Sequence, residues 1–210
     1  MANLLSRDVL VINQKPKLVE LTNEYRILDE SGNEIGQIRE EGQSKAKKLL
    51  RLVSSVDQFL THRLSVYDKE DGKVLELVRP AKLLKSTVEV SDGGGGRVGR
   101  IVQQNVLGKK RFSLEGSGEE PIGSINAENW RAWDFAIEDQ QGNEVGRITK
   151  KWAGLLREAF TTADHYVLNI TGEASPDLRL LMLASAAGID VALKQDDTGG
   201  VGFGGLDLDV

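Results

Sequence analysis

Apolar and polar residues alternate along most of this chain, in short runs that come in pairs. Residues 25–38 (YRILDESGNEIGQI) and 135–148 (FAIEDQQGNEVGRI) share one pattern position for position: an alternating run, an Asp/Gly-rich turn and a second alternating run. Residues 88–101 and 112–125 keep the same spacing, and residues 64–78 form a slightly longer copy. Period-two alternation around residues that tolerate a positive φ predicts a β-hairpin, so we expect five hairpins.

The spacing of these copies predicts how the hairpins are joined. The last four follow one another at about 24 residues, which is too short for an intervening helix and indicates an antiparallel meander. Residues 9–12 and 166–170 can add two strands. A sheet of about twelve twisted strands tends to close into a barrel, and its interior is too wide for its own side chains to fill.

Four glycines follow the turns at equivalent positions, which is typical of β-bulges or of tight strand curvature. They are Gly36, Gly99, Gly123 and Gly146.

The stretch 177–194 is apolar on almost every side, which marks a helix surrounded by protein or by lipid. Ser175 can cap this helix and Asp177 complements its positive end. A bilayer span needs about 20 apolar residues. Here the unbroken run lies between Arg179 and Asp190, so we expect the helix to fill the barrel.

Composition limits the class of protein. The hydrophobic share of 40% and charged share of 28% are typical of a soluble domain. There is no cysteine, and therefore no disulfide, thiolate metal site or palmitate anchor. The first residues lack the pattern of a secretory signal, so we expect an intracellular protein. We expect one domain over residues 1–195, followed by a disordered Gly/Asp-rich tail at 196–210.

One stretch points to a family. Residues 146–166 (GRITKKWAGLLREAFTTADHY) resemble a motif of the phospholipid scramblase and LURP-one-related families, which share the Tubby C-terminal fold. Residues 10–15 and 77–80 look like two weaker motifs of the same families. The resemblance implies a mainly β fold, a closed antiparallel barrel of about twelve strands around a buried C-terminal helix. The cysteine cluster and the proline-rich extension of the animal members are missing, as in a bacterial-type, single-domain member.

The resemblance also implies a function. Scramblase-related proteins move phospholipids between leaflets without ATP, so we expect a membrane-associated, lipid-binding domain and not an enzyme. The alternative is a soluble interaction scaffold of the LURP-one type. We expect a cytoplasmic protein, peripheral at the inner face of the plasma membrane, whose partner is an anionic phospholipid surface or another protein. The net charge of −5 argues against nucleic acid as a partner.

Basic residues beside apolar ones are the candidates for lipid contact, because this pairing suits an anionic membrane surface. The alternatives are a solvated face, an ordinary charged turn and structural packing. The candidates form three groups: Lys45, Lys47, Lys48 and Arg51; Lys109, Lys110 and Arg111; and Lys150, Lys151 and Trp152.

No metal or cofactor is expected. In the animal scramblases an acidic segment held to bind calcium comes just after the leucine-arginine-glutamate run, which corresponds here to residues 156–158. Here Thr162 replaces its first aspartate and only Asp164 is kept. Calcium takes six to eight oxygen ligands, so one carboxylate makes calcium binding improbable. His62 and His165 have no metal or catalytic motif around them.

Overall fold

The structure is a computed structural model, and it describes residues 4–14, 24–41, 61–80, 86–105, 109–129, 133–150 and 165–193. Twelve strands and one helix lie in these ranges. They are β1 (Val9–Gln14), β2 (Glu24–Leu28), β3 (Glu34–Glu41), β4 (His62–Asp68), β5 (Lys73–Arg79), β6 (Thr87–Asp92), β7 (Arg97–Gln103), β8 (Arg111–Gly116), β9 (Pro121–Asn129), β10 (Asp134–Asp139), β11 (Glu144–Thr149), β12 (His165–Ile170) and α1 (Pro176–Leu193).

The strands form one closed antiparallel barrel. Each strand pairs with its neighbours in sequence, and β1 pairs with β12 to close the ring, with Val11 opposite Val167. The five repeats are the hairpins β2–β3, β4–β5, β6–β7, β8–β9 and β10–β11. The predicted twelve-stranded barrel is therefore confirmed.

All five hairpins turn in the same way. The first turn residue bonds its N–H to the carbonyl four residues on, and the fourth turn residue has a positive φ, between 62° and 87°. In four hairpins the first residue is an aspartate whose Oδ1 accepts the N–H groups two and four residues ahead. These aspartates are Asp29, Asp68, Asp92 and Asp139.

Each hairpin has a β-bulge in its second strand, as the glycine positions predict. In β2–β3, Ile27 pairs with Gly36 but Leu28 pairs with Glu34, so Ile35 is the extra residue. The same register shift recurs before Gly99, Gly123 and Gly146, and Leu75 takes the glycine position in β4–β5. The bulges bend the wall, and glycine lets neighbouring backbone approach: a Cβ on Gly99 would lie 2.0 Å from the Glu115 carbonyl oxygen.

Helix α1 fills the barrel. The Ser175 hydroxyl accepts the N–H of Leu178 at 3.2 Å, which is the predicted N-cap. Residues 181–188 are all buried, and this run of more than two turns leaves no side of the helix exposed. The helix and the inner faces of the strands form one hydrophobic core. The predicted core helix is confirmed, beginning at Pro176.

Arg179 ties the start of α1 to the chain before β1. Its guanidinium donates to the carbonyl oxygens of Leu5 and Arg7 at 3.1 and 3.0 Å, and its Nη2 lies 3.1 Å from Asp8 Oδ1. In the part of the chain that the structure describes, no helix is both long and apolar enough to cross a bilayer. The tail predicted at 196–210 lies outside the described residues.

Candidate functional site

The two ends of the barrel are built differently. Because the strands alternate in direction, the five tight hairpin turns lie at one end, which we call the hairpin mouth. The other connections, including the longest, leave and rejoin the barrel at the opposite end, the connection mouth. Helix α1 enters at the hairpin mouth, after β12, and its C-terminal end points to the connection mouth.

Charge separates the two mouths. The five hairpin turns (residues 29–33, 69–72, 93–96, 117–120 and 140–143) hold six acidic residues and one basic residue. The segments that join strands at the connection mouth hold 14 basic and four acidic residues. They are residues 15–23, 42–61, 80–86, 104–110, 130–133 and 150–164. Although the chain has a net charge of −5, basic residues thus predominate in the sequence of the segments that connect strands at this mouth.

Inside the connection mouth, the last inward-facing residues of six successive strands or their flanks are polar or charged. All are at least nine-tenths buried, and each lies two positions along the chain from an apolar core residue. We call this set the polar ring: Glu40, His62, Arg79, Ser86, Gln103 and Lys110.

A buried ionisable pair forms one side of the polar ring. His62 Nδ1 and Glu40 Oε1 lie 2.9 Å apart, with side chains 1% and 2% exposed. Arg79 is the β5 partner of His62 in the sheet register and is 3% exposed. Burying ionisable groups is costly unless they are paired, and the contact between His62 and Glu40 supplies such a pairing.

The other side of the polar ring is held by amides. Gln103 Oε1 accepts the N–H of Ser86 at 3.1 Å, and its Nε2 donates to the Asn105 carbonyl. The Asn105 side chain then bridges the β7–β8 connection: Nδ2 donates to the Lys109 carbonyl at 2.6 Å, and Oδ1 accepts the N–H of Arg111 at 2.9 Å. These bonds fix the backbone that carries the second group of predicted basic residues.

That second group divides into two kinds of residue. Lys109 and Arg111 are exposed and point away from the barrel interior. Lys110 lies between them, faces inward and is only 8% exposed. Among the described residues no carboxylate pairs with Lys109 or Arg111. Only two of the three predicted residues therefore have side chains accessible to a surface.

Several basic residues on the outer wall of the barrel, by contrast, are paired with acidic ones. Arg63 pairs with Glu76, and Arg39 lies 2.7 Å from Asp71. The Tyr67 hydroxyl donates to the Glu41 carboxylate, and this bond lowers the pKa of Glu41 and raises that of Tyr67. The basic groups on this part of the wall are thus already neutralised by neighbours.

Lys150, from the third group, packs against aromatic rings. Its ammonium lies 4.5 Å from the ring centre of Trp133 and 5.2 Å from that of Tyr166. Trp133 itself holds a positive φ of 53° and packs edge to face against Phe135 and at a tilt against Tyr166. This cation–π contact supports the structural interpretation of Lys150 more than a role in lipid contact.

The remaining predicted site residues lie outside the described residues. They are Lys45, Lys47, Lys48, Arg51, Lys151 and Trp152. The described strands on either side of them, β3 and β4 or β11 and β12, end and begin at the connection mouth. Thr162 and Asp164 are also outside, so the expectation about calcium stays a prediction. Within the described ranges, no three His, Asp or Glu side chains come together as metal ligands do.

Sequence reasoning missed Glu40, His62 and Arg79. A signal was available, because each stands two positions from an apolar inward residue: Ile38, Leu64 and Leu77. A charge that continues the apolar side of an alternating strand has to face the interior.

Comparison with known proteins gives the family. The sequence model of the Scramblase family matches residues 1–193. A phospholipid scramblase family protein of Schizosaccharomyces pombe is 30% identical over 193 residues, which cover 83% of this chain and 49% of that protein. The altered inheritance rate of mitochondria protein 25 of Saccharomyces cerevisiae is 26% identical, over 89% of this chain and 69% of that protein. No solved structure matches the chain.

The chain thus spans about half the length of the first of these relatives and about two thirds of the second. The family match covers the barrel and helix α1 up to its last residue, Leu193. On this evidence the chain belongs to the scramblase family.

Proposed function

We propose that this chain binds anionic phospholipid surfaces through its connection mouth. The observation that carries the proposal is the difference in charge between the two sets of connecting segments. Those at the connection mouth contain 14 basic and four acidic residues, whereas the turns at the hairpin mouth contain one basic and six acidic residues. Basic residues near an anionic leaflet each contribute about 1 kcal/mol of attraction. Lys109 and Arg111 support the proposal, because both are exposed at this mouth on a backbone held by Asn105.

In this proposal the barrel approaches the membrane with its connection mouth first. The acidic hairpin mouth is repelled by the same leaflet, so the charge polarity favours one orientation as well as attraction. Anionic lipids are concentrated at the cytoplasmic leaflet, which would place the protein peripherally at the inner face of the plasma membrane.

Vesicle sedimentation tests the proposal. We expect binding to vesicles with anionic lipid at low salt and none to purely zwitterionic vesicles, because the attraction is electrostatic and screened by salt. Replacing Lys109 and Arg111 with Ser should weaken binding by about thirtyfold, which corresponds to two surface charges. Replacing Lys45, Lys47, Lys48 and Arg51 with Ser should weaken it further.

The control removes the same number of charges from the other mouth. Lys69 lies in a turn at the hairpin mouth, and Arg97 begins β7 at the same end, 3.0 Å from Glu119. Both are exposed, and replacing both with Ser changes the net charge equally. This variant should bind vesicles like the unchanged protein. If both double variants lost vesicle binding equally, net charge alone would explain the effect and the proposed orientation would be wrong. If the unchanged protein did not bind anionic vesicles at low salt, the soluble interaction scaffold would be the better hypothesis.

A further inference from the structure

A slot opens between helix α1 and the barrel wall near the connection mouth. Its volume is about 380 Å³ when the solvent space at its open side is included. A smaller cavity of about 240 Å³ adjoins it and includes His62 and Arg79 in its lining. Val88 on β6 and Gly188 on the helix border both spaces. The slot exists because the helix presents the small residues Ser185 and Gly188 to this part of the wall.

The slot wall is apolar and partly open to solvent. Val88, Ile101 and Phe112 line it and keep 7–8% of their surface exposed. Leu114, one inward position deeper on β8 than Phe112, is fully buried. Among the described residues, the fully buried core on this side therefore ends before the connection mouth, and the hydrocarbon surface beyond it is one that an apolar ligand can cover.

One buried polar group is unsatisfied in the slot. Ser86 is 3% exposed and its Oγ has no hydrogen-bond partner among the residues that the structure describes, while its N–H and carbonyl are both bonded to Gln103. The second slot hydroxyl, on Ser185, donates to the Leu181 carbonyl of its own helix at 2.6 Å. Buried hydroxyls are nearly always bonded, so an unbonded one in an open slot points to a ligand.

A water molecule is a poor occupant here. Buried waters make about three hydrogen bonds, whereas the Ser86 hydroxyl is the single side-chain polar group without a partner among the described residues that line the slot. An occupant with a long apolar part and one polar group near the opening fits this lining better.

Two basic residues lie near the opening, and the Glu40 carboxylate on the far side of the adjoining cavity is bonded to His62. Lys110 precedes Phe112 by two positions on the inner face of β8, and Arg79 faces the adjoining cavity beside Val88. Arginine and lysine are the side chains that bind phosphate groups, with arginine able to bond two oxygens at once. Hydrocarbon lining with cations at the rim is the complement of an anionic amphiphile.

We propose that the slot binds a single-chain lipid with an anionic phosphate headgroup. The chain lies between helix α1 and strands β6–β8, and the headgroup lies near Lys110 and Arg79, within reach of the Ser86 hydroxyl. This inference goes beyond attraction to a membrane surface, because it concerns one lipid molecule held by the protein in solution.

Calorimetric titration with dodecyl phosphate below its critical micelle concentration tests the proposal. We expect saturable binding of one molecule per chain. Ser185→Val fills the slot and should weaken binding by about tenfold, as expected for a lost apolar contact of this size. The matched control is Ser65→Val, which changes a buried serine on the outer face of β4 and should leave binding unchanged. Lys110→Met should also weaken binding, whereas Lys109→Met, at its exposed neighbour, should not.

Two comparisons need no variant and keep the test decisive if Ser185→Val or Lys110→Met does not fold. Dodecanol and dodecyltrimethylammonium should bind the unchanged protein at least about tenfold more weakly than dodecyl phosphate, because they lack the anionic group. Absence of saturable binding, or equal binding of the three amphiphiles, would overturn the proposal, as would equal binding by Ser185→Val and Ser65→Val. If the unchanged protein bound dodecyl phosphate but not anionic vesicles, only the proposed surface-binding function would be contradicted.

Discussion

At the scale of single residues, one kind of aspartate holds four of the five hairpins to a common shape. Asp29 accepts the N–H groups of Ser31 and Asn33 at 2.9 Å and also bonds the Asn33 side chain. Burial raises the pKa of Asp29, but the hydrogen bonds from Asn33 and Ser31 outweigh it, so that its pKa lies below the ordinary value. The ionised carboxylate is therefore part of the turn.

We expect Asp29→Ala to lower the free energy of unfolding by about 1–2 kcal/mol, because it leaves backbone N–H groups without their acceptor. Since the folded pKa is depressed, this contribution is present above the ordinary aspartate pKa and is lost as the pH falls through the folded value. Urea unfolding at pH 7 and at pH 3 measures it. The difference between Asp29→Ala and the unchanged protein should shrink at the lower pH, while Glu30→Ala in the same exposed turn should have little effect at either.

Replacing glycine with alanine should change the melting temperature in opposite directions at two positions. A Cβ on Gly188 lies 3.3 Å from the Leu77 side chain, which can move, and Ala favours a helix interior over Gly by about 1 kcal/mol. Gly188→Ala should therefore raise the melting temperature. Gly99→Ala should lower it, because its Cβ would lie 2.0 Å from the Glu115 backbone carbonyl. Differential scanning calorimetry decides both, and a lower melting temperature for Gly188→Ala would mean that Leu77 cannot adjust.

The residue scale is also where sequence reasoning was weakest. The three neighbours Lys109, Lys110 and Arg111 look equivalent in sequence, yet alternation turns Lys110 into the barrel and leaves the other two exposed. Which of the three faces inward depends on where β8 begins, and a one-residue change of register would reverse the assignment. The pairing of His62 with Glu40 joins residues 22 positions apart, which no local pattern specifies.

At the scale of elements, prediction from sequence was most successful. Each hairpin is a local structure whose alternation, turn and bulge all lie within about 14 residues, so the pattern contains most of what determines it. Helix α1 was identifiable because Ser175, Asp177 and the apolar run after Arg179 agree with one another. The sequence patterns did not predict the polar ring, where the inward-facing positions at the connection mouth are polar and no longer apolar.

The helix should be essential to the barrel. Leu181 is fully buried and Leu183 is 1% exposed, so an aspartate at either position places an unpaired charge in the core. We expect Leu181→Asp or Leu183→Asp to lower the free energy of unfolding by about 4 kcal/mol or more and to unfold the domain. Circular dichroism and gel filtration measure the outcome, with Ser117→Asp in an exposed turn as the control. A folded Leu181→Asp variant would contradict the role of the helix as core.

At the scale of the whole molecule, the filled barrel bears on lipid transfer between leaflets. Carrying a headgroup through hydrocarbon requires a polar route. The interior described here is filled by α1 and by the apolar core, and the polar ring lies at one mouth only. The barrel is consequently better suited to binding lipid at its surface than to passing a lipid headgroup through its interior.

Phospholipid scrambling by this chain, which its family membership suggests, can be measured directly. We expect reconstituted vesicles to show no faster loss of fluorescent lipid to dithionite than protein-free vesicles, with no added ATP, because the barrel interior offers no polar route. The control is the same protein adsorbed after vesicle formation. Faster bleaching after reconstitution than in either control would show that the protein scrambles lipid by a route outside the filled interior.

The closing pair of the barrel has a consequence for how the protein is made. Strand β1 pairs with β12, so that Val9 lies opposite Asn169, and the other ten strands lie between these two in the chain. A ribosome that adds roughly 5–20 residues per second delivers β12 on the order of ten seconds after β1. Until then the nascent sheet has two open edges and no core, because α1 follows β12. The growing chain is consequently exposed to edge-to-edge association for most of its synthesis, and folding of the whole ring has to wait for its last strand and its helix.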